Sequence, residues 1–146
     1  MLSPVVVNAF TSMITVNGKE DMMTELFPAN ILADLDLSQS AASFSPPLTI
    51  SSPGEGLRVR SLCLEDFERG FLQLLGQLTS IGNISWEEWE ARFQAMKECK
   101  GTYYVVVIED VNLARVIGAA TLVVEKKFIH SCGMVGRLED VVIGKA

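Results

Sequence analysis

The chain has 146 residues, 49% of them apolar and 21% charged, with a net charge of −6 and one histidine. That length and balance suit one globular domain with a sizeable core and do not suit two. Lysine and arginine gather on no segment, so the electrostatic footprint of a nucleic-acid binder is absent. No run approaches the about 20 apolar residues of a membrane span.

The first 18 residues carry no charged side chain. Pro4 and Asn8 interrupt their apolar run and the first arginine is Arg58, a pattern unlike a secretory or mitochondrial leader. Before Leu57 there are six acidic residues and one lysine, and Ser, Pro and Gly crowd the stretch from Ser38 to Gly56. Residues 1–56 are therefore expected to form a flexible acidic N-terminal segment, with Leu26 to Leu37 apolar enough to dock on the folded part, residues 57–146.

Leu57, Val59 and Leu62 alternate with polar residues, which predicts a half-buried strand. Leu64, Phe67, Phe71, Leu74, Leu75 and Leu78 recur at steps of three and four, predicting one stripe of a helix that Gly82-Asn83 ends. Ser85-Trp86-Glu87-Glu88 has the form of a capping box, so a second helix should begin at Trp86, with Trp89, Phe93 and Met96 on its apolar side. Thr102–Glu109 is a β-branched and aromatic run, read as a strand buried on both faces. Asp110–Leu113 suits a hairpin connection. Arg115–Lys126 follows as a long strand in which Gly118 marks a bulge, and Arg137–Ile143 is a last strand. Short connections favour antiparallel neighbours. Cys63, Cys99 and Cys132 have no C-x-x-C spacing, so reduced thiols are expected, and neither a disulfide framework nor a metal site.

Between the last two strands a polar connection holds Lys126, Lys127 and His130, and Glu139-Asp140 interrupts the apolar strand after it. Adjacent carboxylates in such a strand call for a polar partner or an open edge, because burying them unpaired is costly.

These residues resemble the GCN5-related N-acetyltransferase superfamily and, within it, the glucosamine 6-phosphate N-acetyltransferases. The resemblance rests on PGEGLRVRSL, RGFLQLLGQLTSIGNIS and EKKFIHSCGMVGRLEDVV, and on the element order between them. It implies an α+β fold, strand-helix-helix-strand-strand-strand, with a mostly antiparallel sheet. It implies transfer of an acetyl group from acetyl-CoA, a cosubstrate rather than a tightly bound cofactor, to the 2-amino group of glucosamine 6-phosphate, toward UDP-N-acetylglucosamine. The amine attacks the thioester directly, with Glu139 and Asp140 as the catalytic carboxylates lying against the sugar. Thr79 and the block Lys127, Phe128, Ile129 and His130 match the other sugar-phosphate contacts; ammonium and imidazole groups can both donate to phosphate oxygens. Val141, Val142 and Ile143 match the strand end whose main chain meets acetyl-CoA. A homodimer and a cytoplasmic location, peripheral to endomembranes, go with the family.

In the family the last of these strands leads into a basic glycine-rich loop, of the form R-G-x-x-L/I-G, which holds the CoA pyrophosphate at a helix N-terminus. Here Val142-Ile143 is followed by Gly144-Lys145-Ala146. The expectation is a partial fold whose C-terminal half is missing, as in a shortened splice form or an incomplete gene model. Such a chain should have an exposed edge strand, weak affinity for acetyl-CoA and doubtful activity of its own. The alternative is a non-catalytic interaction module that pairs with the full-length enzyme.

Overall fold

A computed structural model describes residues 23–145; the tail expected over the first 18 residues lies outside them. The order is a four-residue helix α1 (Asn30–Ala33), strand β1 (Leu57–Ser61), helices α2 (Phe71–Leu75) and α3 (Trp86–Glu98), then strands β2 (Tyr103–Asp110), β3 (Arg115–Lys126) and β4 (Met134–Ile143). The four strands form one antiparallel sheet in the order β1-β2-β3-β4. This is the expected α+β order.

β2 forms because a run of β-branched and aromatic side chains fits a pleated surface. Its Val105, Val107 and Glu109 are buried on the face turned to α2 and α3, while Tyr104 and Val106 on the other face are half-buried. The Asp110 carboxylate closes the β2–β3 hairpin by accepting from the N–H groups of Asn112 and Leu113, at 3.0 and 3.1 Å. A bulge follows at once: Ile108 faces Gly118 and Glu109 faces Val116, which leaves Ile117 as the extra residue. A side chain at Gly118 would meet Ile143 Cδ1 at 2.9 Å, so this position is small because β2 and β4 close over it.

The helix expected from Leu64 to Leu78 is divided. Leu64–Phe67 is a 3-10 turn, and Gly70 at φ 87° re-aims the chain before α2. Leu64, Phe67, Phe71 and Leu74 still reach one core, because a turn and a short helix set at an angle satisfy the same spacing. α3 begins as its capping box requires. Ser85 Oγ accepts from the Glu88 N–H at 3.2 Å, and the Glu88 carboxylate accepts from the Ser85 N–H at 2.8 Å. Trp89 and Phe93 fill the space between α3, α2 and the sheet, and Trp89 Nε1 donates to the Leu64 carbonyl at 2.8 Å.

The apolar stretch near the start docks on the opposite face. Leu26 and Phe27 are buried. The Leu26 N–H donates to the Leu62 carbonyl at 2.8 Å and the Phe27 N–H to Ser61 Oγ at 3.1 Å. The Phe27 ring stacks edge-on to Tyr104 at 5.3 Å.

β1 differs from the expectation of an apolar-in strand. Arg58 pairs with Glu109 across the strands, so Arg58 and Arg60 point to the helix side, and Arg60 is buried. Their counter-ions make this possible. Arg60 grips Asp66 through two hydrogen bonds of 2.8 Å, and Glu109 accepts from Arg58 at 2.7 Å, Arg60 at 2.9 Å and Arg69 at 3.0 Å. Burial would raise the Glu109 carboxyl, but the bonds from Arg60 and Arg58 outweigh it and hold it down at about 2.

Candidate functional site

An open cleft of about 710 Å³ runs between α3 and the helix-facing side of β2, β3 and β4. Its walls are mostly apolar, with Phe71, Leu75, Trp89, Phe93 and Met96 from the helices and Val105 and Val123 from the sheet. Polar groups come from both walls, with Asn83, Glu88 and Arg92 on the helix side and Thr121, Glu139 and Asp140 on the sheet. Thr121 and Glu139 face each other across β3 and β4, and Asp140 follows. Register sets this placement. Ala119 pairs with Val142 and Thr121 with Glu139, so Asp140 and Val141 together oppose the single residue Ala120. This second bulge bends β4, and Asp140 takes the left-handed conformation at φ 50°. Asp140 tolerates that conformation better than a branched residue would. Adjacent residues of a regular strand point to opposite faces; the bulge lets both Glu139 and Asp140 line the same cleft. Both are exposed. They therefore meet the demand for polar surroundings by facing open space rather than by a buried partner.

Thr79 lies in an adjoining groove of about 540 Å³ that shares Leu72, Asn83 and Ile84 with the cleft. Val142 is buried against the core, while Val141 and Ile143 are exposed on either side of it.

The hairpin block is placed elsewhere. Lys126 pairs with Met134 and Thr121 with Glu139, five residues apart along the strand, which is about 17 Å. Lys127 to His130 lie beyond that last pair, so one chain does not bring them to its own Glu139 and Asp140. Phe128 is 95% exposed. Lys127 Nζ is 3.0 Å from Glu125 Oε1 and holds that carboxyl below its ordinary range. His130, Ser131 and Cys132 are all left-handed, at φ 53°, 57° and 60°, and the turn closes through Cys132 N–H to the Phe128 carbonyl at 3.1 Å. β4 consequently starts at Met134, three residues before the expected Arg137.

Two cleft residues had no signal in the sequence. Among the described residues Arg92 is the only lysine or arginine lining the cleft, and it makes no ion pair with any of them. Cys99 lines it at the end of α3. Both sit on or beside the exposed side of α3, where any polar residue fits the periodicity. Cys63, by contrast, is 1% exposed, and burial pushes its thiol up to about 12. Among the described residues no cluster of His, Cys, Asp and Glu could hold a metal ion, and no helix is long and apolar enough to cross a membrane.

No protein-family model matches the chain. The chain is 49% identical over 121 residues to a probable glucosamine 6-phosphate N-acetyltransferase of Drosophila melanogaster, covering 82% of this chain and 55% of that protein. It is 33% identical over 111 residues to a probable glucosamine 6-phosphate N-acetyltransferase 2 of Oryza sativa subsp. japonica, covering 72% of this chain and 67% of that one. The crystal structure of glucosamine-6-phosphate N-acetyltransferase from Arabidopsis thaliana superposes with a TM-score of 0.60 at 34% identity, over 62% of this chain and 61% of that one. The chain thus spans little more than half the length of the fly and Arabidopsis proteins. On the strength of the sequence matches and the shared arrangement of the sheet, the chain belongs to the glucosamine 6-phosphate N-acetyltransferase family.

Proposed function

We propose that the chain serves acetyl transfer from acetyl-CoA to the 2-amino group of glucosamine 6-phosphate, and that its cleft carries the amino-sugar part of that site. The observation that carries this reading is the bulge that turns both Glu139 and Asp140 into one cleft. The sugar amine arrives protonated and must lose a proton before it can attack. A carboxylate within hydrogen-bond reach accepts that proton, and its neighbour holds the sugar hydroxyls. The neutral amine then adds to the thioester carbonyl, the tetrahedral intermediate collapses with cleavage of the C–S bond, and the second proton released from the nitrogen goes to the departing sulfur, giving the amide and the thiol of CoA. Backbone N–H groups freed from the ladder at Asp140-Val141 are the donors for the carbonyl oxygen, beside Val141, Val142 and Ile143, to which we assign the acetyl-CoA contact. Thr79 contacts the sugar from the adjoining groove.

Lys127, Phe128, Ile129 and His130 are assigned to the phosphate of a sugar held by a second copy, since about 17 Å separates them from the carboxylates of their own chain. A homodimer follows from that assignment. We assign the chain a cytoplasmic location, which three free cysteines suit, and a place peripheral to endomembranes on the family resemblance alone.

The test is CoA-thiol release by the purified 146-residue polypeptide with glucosamine 6-phosphate, alone and mixed with a full-length relative. Turnover that falls about 10²–10⁴-fold in Glu139→Gln or Asp140→Asn supports the reading. Turnover indifferent to both substitutions rejects it. A second reading, a non-catalytic interaction module, is favoured by the exposed apolar residues of β4; co-purification with a full-length relative and no transfer in either arm would support it.

A further inference from the structure

On the face of the sheet away from the cleft, a separate groove of about 460 Å³ lies between α1, with the chain that leaves it, and the turn at Thr49–Ser52. Its floor is Val59 and Ser61 of β1, whose neighbours Arg58 and Arg60 turn the other way. It shares no lining residue with the cleft or with the groove at Thr79. We propose that this groove binds a short segment of a partner protein that carries leucine- or phenylalanine-sized side chains beside lysines or arginines.

The apolar half of that description comes from the walls. Leu32, Leu35, Leu37 and Ile50 line the groove. Of these only Leu32 packs against the core, while Leu35 and Leu37 are 50% and 47% exposed and Ile31 and Leu48 beside them are exposed too. Folding therefore does not account for these side chains, and clustered exposed apolar residues mark a contact surface. The walls are set before a partner arrives. Thr49 and Ser52 exchange backbone hydrogen bonds of 3.1 and 3.2 Å, the Ser52 N–H also donates to Thr49 Oγ1 at 2.9 Å, and the Asp34 N–H donates to the Asn30 carbonyl at 2.9 Å. A preformed groove spares a ligand the cost of ordering it, and the volume lies within the about 300–1,000 Å³ of sites that enclose a ligand.

The charged half comes from the rim. The run Asp34-Leu35-Asp36-Leu37 interleaves two carboxylates with the two exposed leucines. Neither aspartate makes an ion pair among the described residues. Bonds from Ser38, one of them its N–H at 2.9 Å, hold the Asp36 carboxyl below its ordinary range. No lysine or arginine occurs from residue 23 to residue 57, and the first two that follow, Arg58 and Arg60, are committed to Glu109 on the helix side. Uncompensated negative charge beside an apolar floor favours a cationic partner and repels the anionic surface of a bilayer or a nucleic acid. Lysine and arginine suit both parts, because their aliphatic stems lie on apolar surface while their charged ends reach carboxylates.

The groove stands on the far side of the sheet from Glu139 and Asp140, so the proposal goes beyond acetyl transfer and is tested without it.

A phage-displayed library of random dodecapeptides is selected on the purified 146-residue chain. The most enriched peptide is synthesised with a fluorescent label and titrated by anisotropy against the wild type, D34K/D36K, L35S and E90K/E98K, with circular dichroism as the check on folding. E90K/E98K makes the same change of net charge on exposed positions of α3 and leaves the groove alone. Enriched peptides are expected to set lysine or arginine beside leucine, isoleucine or phenylalanine. D34K/D36K should weaken binding at least about tenfold and L35S at least about threefold, while E90K/E98K stays within about threefold of the wild type. The two groove variants alter different chemistry, so either one that folds decides the matter. No enrichment over the bare support, enriched peptides without that composition, or binding indifferent to the folded groove variants would overturn the proposal. So would groove variants that abolish self-association of the chain or its binding to phosphatidylserine vesicles while the peptide still binds, since a second copy or a bilayer would then be the occupant.

Discussion

Glu109 shows how a single side chain can hold three elements in place. It is 2% exposed and accepts from arginines on β1 and from Arg69, which lies between the 3-10 turn and α2. Removing its charge leaves Arg58, Arg60 and Arg69 facing one another. Glu109→Gln is expected to lower stability by about 3–5 kcal/mol, measured by urea unfolding. Its carboxyl sits at about 2 in the fold against an ordinary 4.5. The sign follows: the stabilisation is complete above about pH 4.5 and is lost as pH falls through about 2. The melting temperature should therefore fall between those limits in the wild type, with a smaller slope in Glu109→Gln. The turn at His130–Cys132 is a different kind of residue problem, because left-handed backbone costs a side-chain-bearing residue about 1–2 kcal/mol. Ser131→Gly should raise stability by up to about 1 kcal/mol, which a shift of the urea midpoint would show. Unchanged or lowered stability would mean that the turn is not under strain.

At the scale of elements, much was legible and the exceptions have clear causes. The capping box fixed the start of α3, and the β-branched run fixed β2. The first helical stretch was misread because three- and four-residue spacing records which side chains share a core, not whether the backbone between them is continuous. Gly70 interrupts the backbone without disturbing the spacing. The two carboxylates of β4 stood out in the sequence as a polar break in an apolar strand. What put them in one cleft did not, since a bulge is set by the partner strand's register and not by local composition. The buried arginine was missed for a related reason, although a glutamate inside a strand read as buried on both faces already required a cation. The docked segment yields the prediction for this scale. Phe27 fills space against Tyr104 on the face away from α3, so Phe27→Ala should cost about 3–5 kcal/mol in urea unfolding. A loss below about 1 kcal/mol would show that the segment before β1 is not part of the core.

For the whole molecule, the core lies on both faces of β1 and β2 and takes in Val116 and Ala119 of β3 and Val142 of β4, while the hairpin end of β3 and β4 extends beyond it. Phe128, Ile129, Met134 and Leu138 are all exposed along that extension. Exposed apolar side chains on an unpaired edge strand are where a sheet takes on further partners. The three thiols span the same gradient, and this gives the protein an internal clock. Cys99 and Cys132 are exposed and Cys63 is buried where the docked segment meets the sheet. A maleimide reagent should modify two thiols promptly in the native protein and the third only when the whole fold opens. Mass spectrometry counts the labels, and the slow phase should quicken in Glu109→Gln and Phe27→Ala and keep its rate in Ser85→Ala if that helix end frays independently. The lag of the third label then reads out the free energy of global opening at neutral pH, without denaturant and without any added tag.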